Sequence, residues 1–228
     1  MSSSRSQVPD ARPELVLFDA GGTLVLINSD PFNAFLAGWD LPAVKATELF
    51  EAHFKAMSEF AYRLEAGEGL EFRWWVKRLF DLVGVSLTAD MAGAFGGGKN
   101  MWNQPISGAR ETVVDLQARG YRVAVVSNSD GTVAQELARA GFGGLFEVVI
   151  DSTDVAISKP DPGIFEIALQ ALDVPAANTW YVGDSHFHDV GGAQSAGLAA
   201  SVLIDPLSLG PAGMLSVSSI AELSGLLP

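Results

Sequence analysis

The chain of 228 residues is 48% apolar and 18% charged, with a net charge of −13 and no cysteine. It can therefore bury a substantial core, as one domain with a sizeable insertion or as two small domains, and it excludes disulfides, thiolate nucleophiles and thiolate zinc sites. The acidity disfavours nonspecific nucleic-acid binding, which needs basic surface, but leaves room for one small anion in a local basic site.

Taken in chain order, the opening MSSSRSQVPDARPE is polar and lacks the apolar centre of a secretory signal. Residues 1 to about 12 are expected to form a loose tail. No apolar run reaches the roughly 18 residues of a membrane span, so a cytoplasmic location and no membrane partner are expected. The segment ELVLFDA reads as a short buried strand that ends at Asp19. Gly21, Gly22 and Thr23 follow at once, a turn in which the glycines can take backbone angles closed to other residues and let a ligand approach the amides.

Residues 30–104 carry helical patterns: AVKATELFEAHFKAMSEFAYRLEAG, LEFRWWVKRLFDLVGV and TADMAGAFGGG. Leu49, His53, Ala56, Met57 and Phe60 recur at steps of three and four, marking a helix face on which His53 is expected to be packed. Trp74 and Trp75 cannot both share one face, so one of them is expected to be exposed or at an interface. Arg73 and Arg78 read as the wet side of an amphipathic helix. Gly67 and Gly69 break the first helix, and Gly96, Gly97 and Gly98 end the block.

From about residue 107 helices and strands alternate. ARETVVDLQARG, TVAQELARAG and PGIFEIALQAL are helical, and a further helix ends near Gly197; YRVAVVS, FEVVID, TWYVGD and AASVLID are strands. Continuous apolar strands separated by helices predict a parallel sheet covered on both faces. Ligands of such sheets bind beyond the carboxyl ends of the strands. Those ends present Asp19, Ser127 followed by Asn128, and Asp184, with Lys159 in the loop after the strand ending near Ile150.

Each of these residues also has a plain structural reading. Asp19 could cap a turn, Ser127 could be an ordinary turn residue, and Lys159, between Ser158 and the braced PDPG, could be solvated. Asp189, five residues after Asp184, could stabilise a helix N-terminus or share a cation with Asp184. Hard oxygen ligands would favour magnesium. His186 and His188 read as ordinary loop residues.

In order and spacing, FDAGGTL, VVSNS, SKPDPGIF and VGDSHFHDVGGAQSAG resemble the motifs of the haloacid dehalogenase-like hydrolase superfamily, in the phosphatase-type branch with a helical cap inserted after the first strand. The resemblance runs from about residue 14 to 205. It implies a three-layer α/β/α Rossmann-like parallel sheet core over 1–28 and 105–228, with an α-helical cap over 29–104. It also implies that Asp19 is the nucleophile forming an aspartyl-phosphate, that Ser127 binds the phosphoryl group, and that Lys159 neutralises the charge. Gly22 and Asn128 would lie at the substrate. Asp19, the backbone carbonyl of Gly21, Asp184 and Asp189 would hold Mg2+. The expected partner is a small phosphorylated metabolite, and the expected assembly a monomer or homodimer.

The chain departs from the phosphatase pattern at Gly21, where the family usually carries a second aspartate as general acid and base. Its loss costs roughly 10²–10⁴ in rate, a part of the whole acceleration. The expectation is a weak phosphatase or a leaving group that needs no proton; Asp30 is a neighbouring acid in sequence. Two other outcomes are a dehalogenase, whose usual lack of the GD arrangement is not shared here, and a non-enzymatic phosphoryl-ligand binding module. Imine chemistry would need a lysine in the helical block, but Lys45, Lys55, Lys77 and Lys99 read as helix surface.

Overall fold

The structure, a computed structural model, describes residues 11–96 and 98–228. The tail expected at the N-terminus falls, over residues 1–10, outside the described residues, as does Gly97 of the glycine stop. Six strands form one sheet in the order β5-β4-β1-β6-β7-β8, with β1 Leu15–Phe18, β4 Arg122–Ser127, β5 Val149–Asp151, β6 Thr179–Gly183, β7 Ala200–Ile204 and β8 Ser216–Val217. Every pairing in it is parallel: Leu17 faces Ala124 on one side and Tyr181 on the other.

Alternation along each strand separates two cores. Val16, Phe18, Val123, Val125, Trp180 and Val182 point into one, packed by α5 (Ala109–Ala118) and the C-terminal turns. Leu15, Leu17, Ala124, Val126 and Tyr181 point into the other, which α8 (Gly163–Leu172) covers with Ile164, Phe165, Ala168 and Leu172. A strand buried on both faces has no reason to alternate polar and apolar residues, which is why these runs are apolar throughout. This is the three-layer α/β/α Rossmann-like architecture. Two shorter helices, α6 (Val133–Leu137) and α7 (Ser152–Val155), follow β4 and β5.

The helical block is a separate body with its own core. It comprises α1 (Ser29–Ala37), α2 (Ala46–Glu65), α3 (Phe72–Leu82) and α4 (Ala89–Phe95) around Phe32, Leu36, Leu49, Trp75, Leu79 and Phe80. Phe80 meets Phe95 edge-on at 5.0 Å, and Gly96 at φ 55° closes α4. Trp75 is the buried tryptophan of the pair. Trp74 stacks on Phe60 at 5.8 Å under the Arg63 guanidinium, 4.9 Å from its ring.

Two features of the connection to the helical body lie outside the sequence-based reading. Helix α1 is one, capped by Asn28, whose Oδ1 accepts from the Asp30 amide at 3.0 Å. The other is an antiparallel ribbon of β2 (Val25–Ile27) and β3 (Trp102–Pro105), which carries the chain out to the helices and back. Its return strand starts at Trp102, inside the segment assigned to the cap by sequence. Phe54 of α2 packs into the sheet-side core, and the Ser58 hydroxyl donates to the Leu209 carbonyl at 3.2 Å, so the helical body rests on the sheet.

Candidate active site

The strand tips bring four of the expected side chains together. Asp19 follows β1, Asp184 follows β6, Asp189 lies in the π-helical turn His186–Gly191, and Lys159 comes from the loop between α7 and α8. All four are buried. Lys159 Nζ donates to Asp19 Oδ1 at 2.6 Å, to Asp189 Oδ1 at 2.6 Å and to the Tyr181 hydroxyl at 2.9 Å. Its three protons are all used. The Tyr181 hydroxyl in turn donates to the Val126 carbonyl at 2.8 Å, and Asp189 Oδ2 accepts from the Ser185 amide at 2.8 Å. Asp19, Asp184 and Asp189 each offer a carboxylate oxygen, all within 4.8 Å of one another.

Three carboxylates against one ammonium leave an excess of negative charge out of water. Burial, reinforced by Asp189 and Asp184, pushes the Asp19 carboxyl up to about 7 although Lys159 pulls it down. Asp184 is raised for the same first reason, burial. Burial works to lower Lys159, but Asp189 and Asp19 outweigh it and hold the ammonium charged above its ordinary range. Such a cluster suits a divalent cation, because hard oxygen donors in excess of their counter-charge are what such an ion neutralises.

Not every expected residue faces the cluster in the expected way. Ser127 is buried at the tip of β4. Asn128, expected at a substrate, instead clamps the main chain of Lys159: its Oδ1 accepts from Lys159 N at 2.8 Å and its Nδ2 donates to Lys159 O at 3.0 Å. The amide of Gly22, expected to face a ligand, donates to Val25 O at 2.8 Å inside the turn. What Gly22 supplies is room. At φ 74° a Cβ there would lie 2.0 Å from Asp184 Oδ2 and 2.4 Å from His53 Nε2. Gly21 faces an indole, with a Cβ there meeting Trp102 Cζ3 at 3.1 Å. Asp30 is exposed in the first turn of α1, at the helix start rather than in the acid cluster.

His53 goes beyond its expected packing role. From α2 it reaches Asp184 Oδ2 with Nε2 at 2.7 Å, its ring flanked edge-on by Trp75 at 5.6 Å and Trp102 at 5.7 Å. His186 and His188 form a seam with α2, His186 under Tyr62 at 4.4 Å and His188 under Phe60 at 5.7 Å. Burial lowers His188 to about 4, which leaves it neutral. Arg78 is spent on Glu59, with bonds of 2.7 and 2.8 Å, and Arg73 is exposed. Lys45, Lys55 and Lys77 pair with Glu48, Glu51 and Asp81 on the helix surface. The hydroxyl of Tyr181 and the ring of His53 escaped sequence reasoning. Tyr181 reads simply as one more residue of a buried strand, and His53 sits 131 positions from the acid it touches.

Comparison with known proteins agrees with this geometry. A family model for haloacid dehalogenase-like hydrolases matches residues 13–197. The chain is 30% identical over 204 residues to haloacid dehalogenase-like hydrolase domain-containing protein 3 of Bos taurus, covering 84% of this chain and 81% of that protein. It is 33% identical over 107 residues to a glyceraldehyde 3-phosphate phosphatase of Methanothermobacter thermautotrophicus, covering 46% and 47%. Its fold is similar to that of the magnesium-bound HAD-hydrolase YfnB of Bacillus subtilis, with a TM-score of 0.68 and 20% identity over 95% of this chain and 99% of that one. With the strand that ends at Asp19, Lys159 and the paired acids Asp184 and Asp189 all inside the matched span, the chain belongs to the haloacid dehalogenase-like hydrolases.

Proposed function

We propose that this hydrolase is a magnesium-dependent phosphatase acting on a small phosphorylated metabolite through an aspartyl-phosphate. The observation that carries the reading is the lysine-linked triad of Asp19, Asp184 and Asp189. Asp19, Asp184 and Asp189, with the carbonyl of Gly21, would hold the ion. The bound ion would supply the positive charge that lets a carboxylate and a phosphoryl group meet.

The rest falls to the chain itself. A carboxylate oxygen of Asp19 attacks phosphorus, the bond to the leaving oxygen breaks with its electron pair, and water then cleaves the acyl-phosphate to return Asp19 and phosphate. Lys159 holds Asp19 in place and offsets charge on the transferring group, and the Ser127 hydroxyl is assigned to a phosphoryl oxygen. Tyr181 and Asn128 fix Lys159 from its ammonium and from its main chain. The helical body acts as a cap that excludes water. With no side chain at Gly21 to protonate the leaving oxygen, the reading favours groups that depart as stable anions.

The test is phosphate release from a panel of phosphorylated metabolites with Mg2+ and with a chelator, for wild type and Asp19→Asn. Turnover that needs Mg2+ and disappears in the variant is expected; turnover that survives in the variant defeats the nucleophile assignment. Gly21 is also what a dehalogenase reading would use. Halide release from 2-haloacids, unaffected by chelator, would establish that reading instead.

A further inference from the structure

The geometry points to a second part of the site: a cleft between the helical body and the sheet body that takes an uncharged, largely hydrocarbon group carried by the phosphoryl substrate. This inference rests on the phosphatase reading and narrows its substrate class. The cleft has a volume of about 660 Å3, within the few hundred to a thousand Å3 of small-molecule sites. Both bodies build it. Phe50 and Phe54 come from α2, Leu26 and Ile106 from the ribbon and the turn after it, and Leu207 and Ile220 from the loops that follow the last strands.

Three observations choose the occupant. First, His53 belongs to both places: it lines the cleft, and its Nε2 is 2.7 Å from Asp184. A molecule lying along Phe50 and Phe54 is therefore one imidazole ring away from the acids. Second, among the described residues no lysine or arginine lines the cleft, and the one acidic side chain that does is Glu51. A second phosphate or a carboxylate placed there would lose water without gaining a counter-charge. The cleft thus disfavours pyrophosphate, phosphoglycolate and 2-haloacids as occupants. Third, apart from His53 and Glu51 its polar side chains are neutral hydroxyls and one amide, including Ser29, Ser107, Ser218 and Gln104. These can serve an uncharged polar end but do not select an ion.

The test uses 4-n-alkylphenyl phosphates from ethyl to octyl, whose phenolate departs without needing a proton, with the full chain and Mg2+, reading both kcat/KM and, in Asp19→Asn, Kd by calorimetry. Burying methylenes in the cleft predicts a rise in kcat/KM and a fall in Kd of about two- to fourfold per added carbon, with pyrophosphate and phosphoglycolate poorer than 4-hexylphenyl phosphate. Leu207→Asp is expected to flatten the dependence of both readings on chain length. Phe50→Ser, on the opposite wall, is expected to lower the gain per added carbon in the same way. Chain-length-dependent binding without turnover by wild type would sink the phosphatase reading and leave the cleft assignment standing. Turnover with flat kcat/KM and flat Kd, a preference for the charged substrates, or no binding of any alkylphenyl phosphate would overturn the cleft assignment.

Discussion

Lys159 is the residue on which the acid cluster balances. With one ammonium bonded to Asp19, Asp189 and Tyr181, Lys159→Met would strand two buried carboxylates. A loss of about 3–5 kcal/mol in stability is expected in urea melts with a chelator present, and Mg2+ is expected to restore part of it. The two glycines after Asp19 should behave differently. Gly22→Ala puts a methyl into Asp184 at a positive φ and is expected to cut turnover about tenfold or more and to lower the melting temperature. Gly21→Ala meets only the edge of Trp102 and is expected to stay within about threefold of wild type in the same assays.

At this scale Asp19 and Asp184 were legible because each follows an apolar run and a strand tip has one place to go, and Lys159 and Asp189 because they stand in the loops beyond the same sheet edge. His53, Trp102 and Tyr181 were not. Nothing in a local pattern separates a histidine that packs from one that packs and also bonds a distant carboxylate. The indole facing Gly21 is brought there by ribbon pairing, which no window of sequence contains.

Among the elements, the long ones announced themselves. Helix α2 shows its apolar face over five turns, and β1 together with the interiors of β4 (residues 123–126) and β6 (residues 180–182) is apolar without interruption. The short ones stayed hidden, because three or four residues of β2 and β3 hold no period of their own and form only when Leu26 finds Gln104. The same pairing explains why the boundary of the helical segment shifts from 104 to Trp102. Within that segment Trp75 is the keystone of the separate core, stacked on Phe72 at 4.9 Å and beside Trp102 at 5.6 Å. Trp75→Ala is expected to cost about 3–5 kcal/mol. If the helical body unfolds alone, amide exchange will rise in 29–95 and leave β1, β4 and β6 protected.

For the molecule as a whole, the buried acids predict an unusual response to pH. Folding raises the Asp19 carboxyl from 3.8 to about 7, and Asp184 shifts in the same direction. Their protonated forms therefore favour the native state. That contribution is complete below about pH 4 and is lost as pH climbs through about 7. Without metal, the melting temperature of wild type is expected to fall relative to Asp19→Asn between about pH 4 and about pH 8. Saturating Mg2+ should remove that slope, since a cation holds the same acids charged. Differential scanning calorimetry of the two proteins across that range measures it. A further consequence lies in the ribbon. Ile27 and Trp102 face each other across it, and Asn28 N–H donates to Met101 O at 2.8 Å, so everything between them leaves and re-enters at one doorway. A lineage could trade this whole module for another, or shorten it to a tight turn, without disturbing the register of a single catalytic strand. The strands that gather the acids and the helices that build the second core thus occupy separate stretches of the chain.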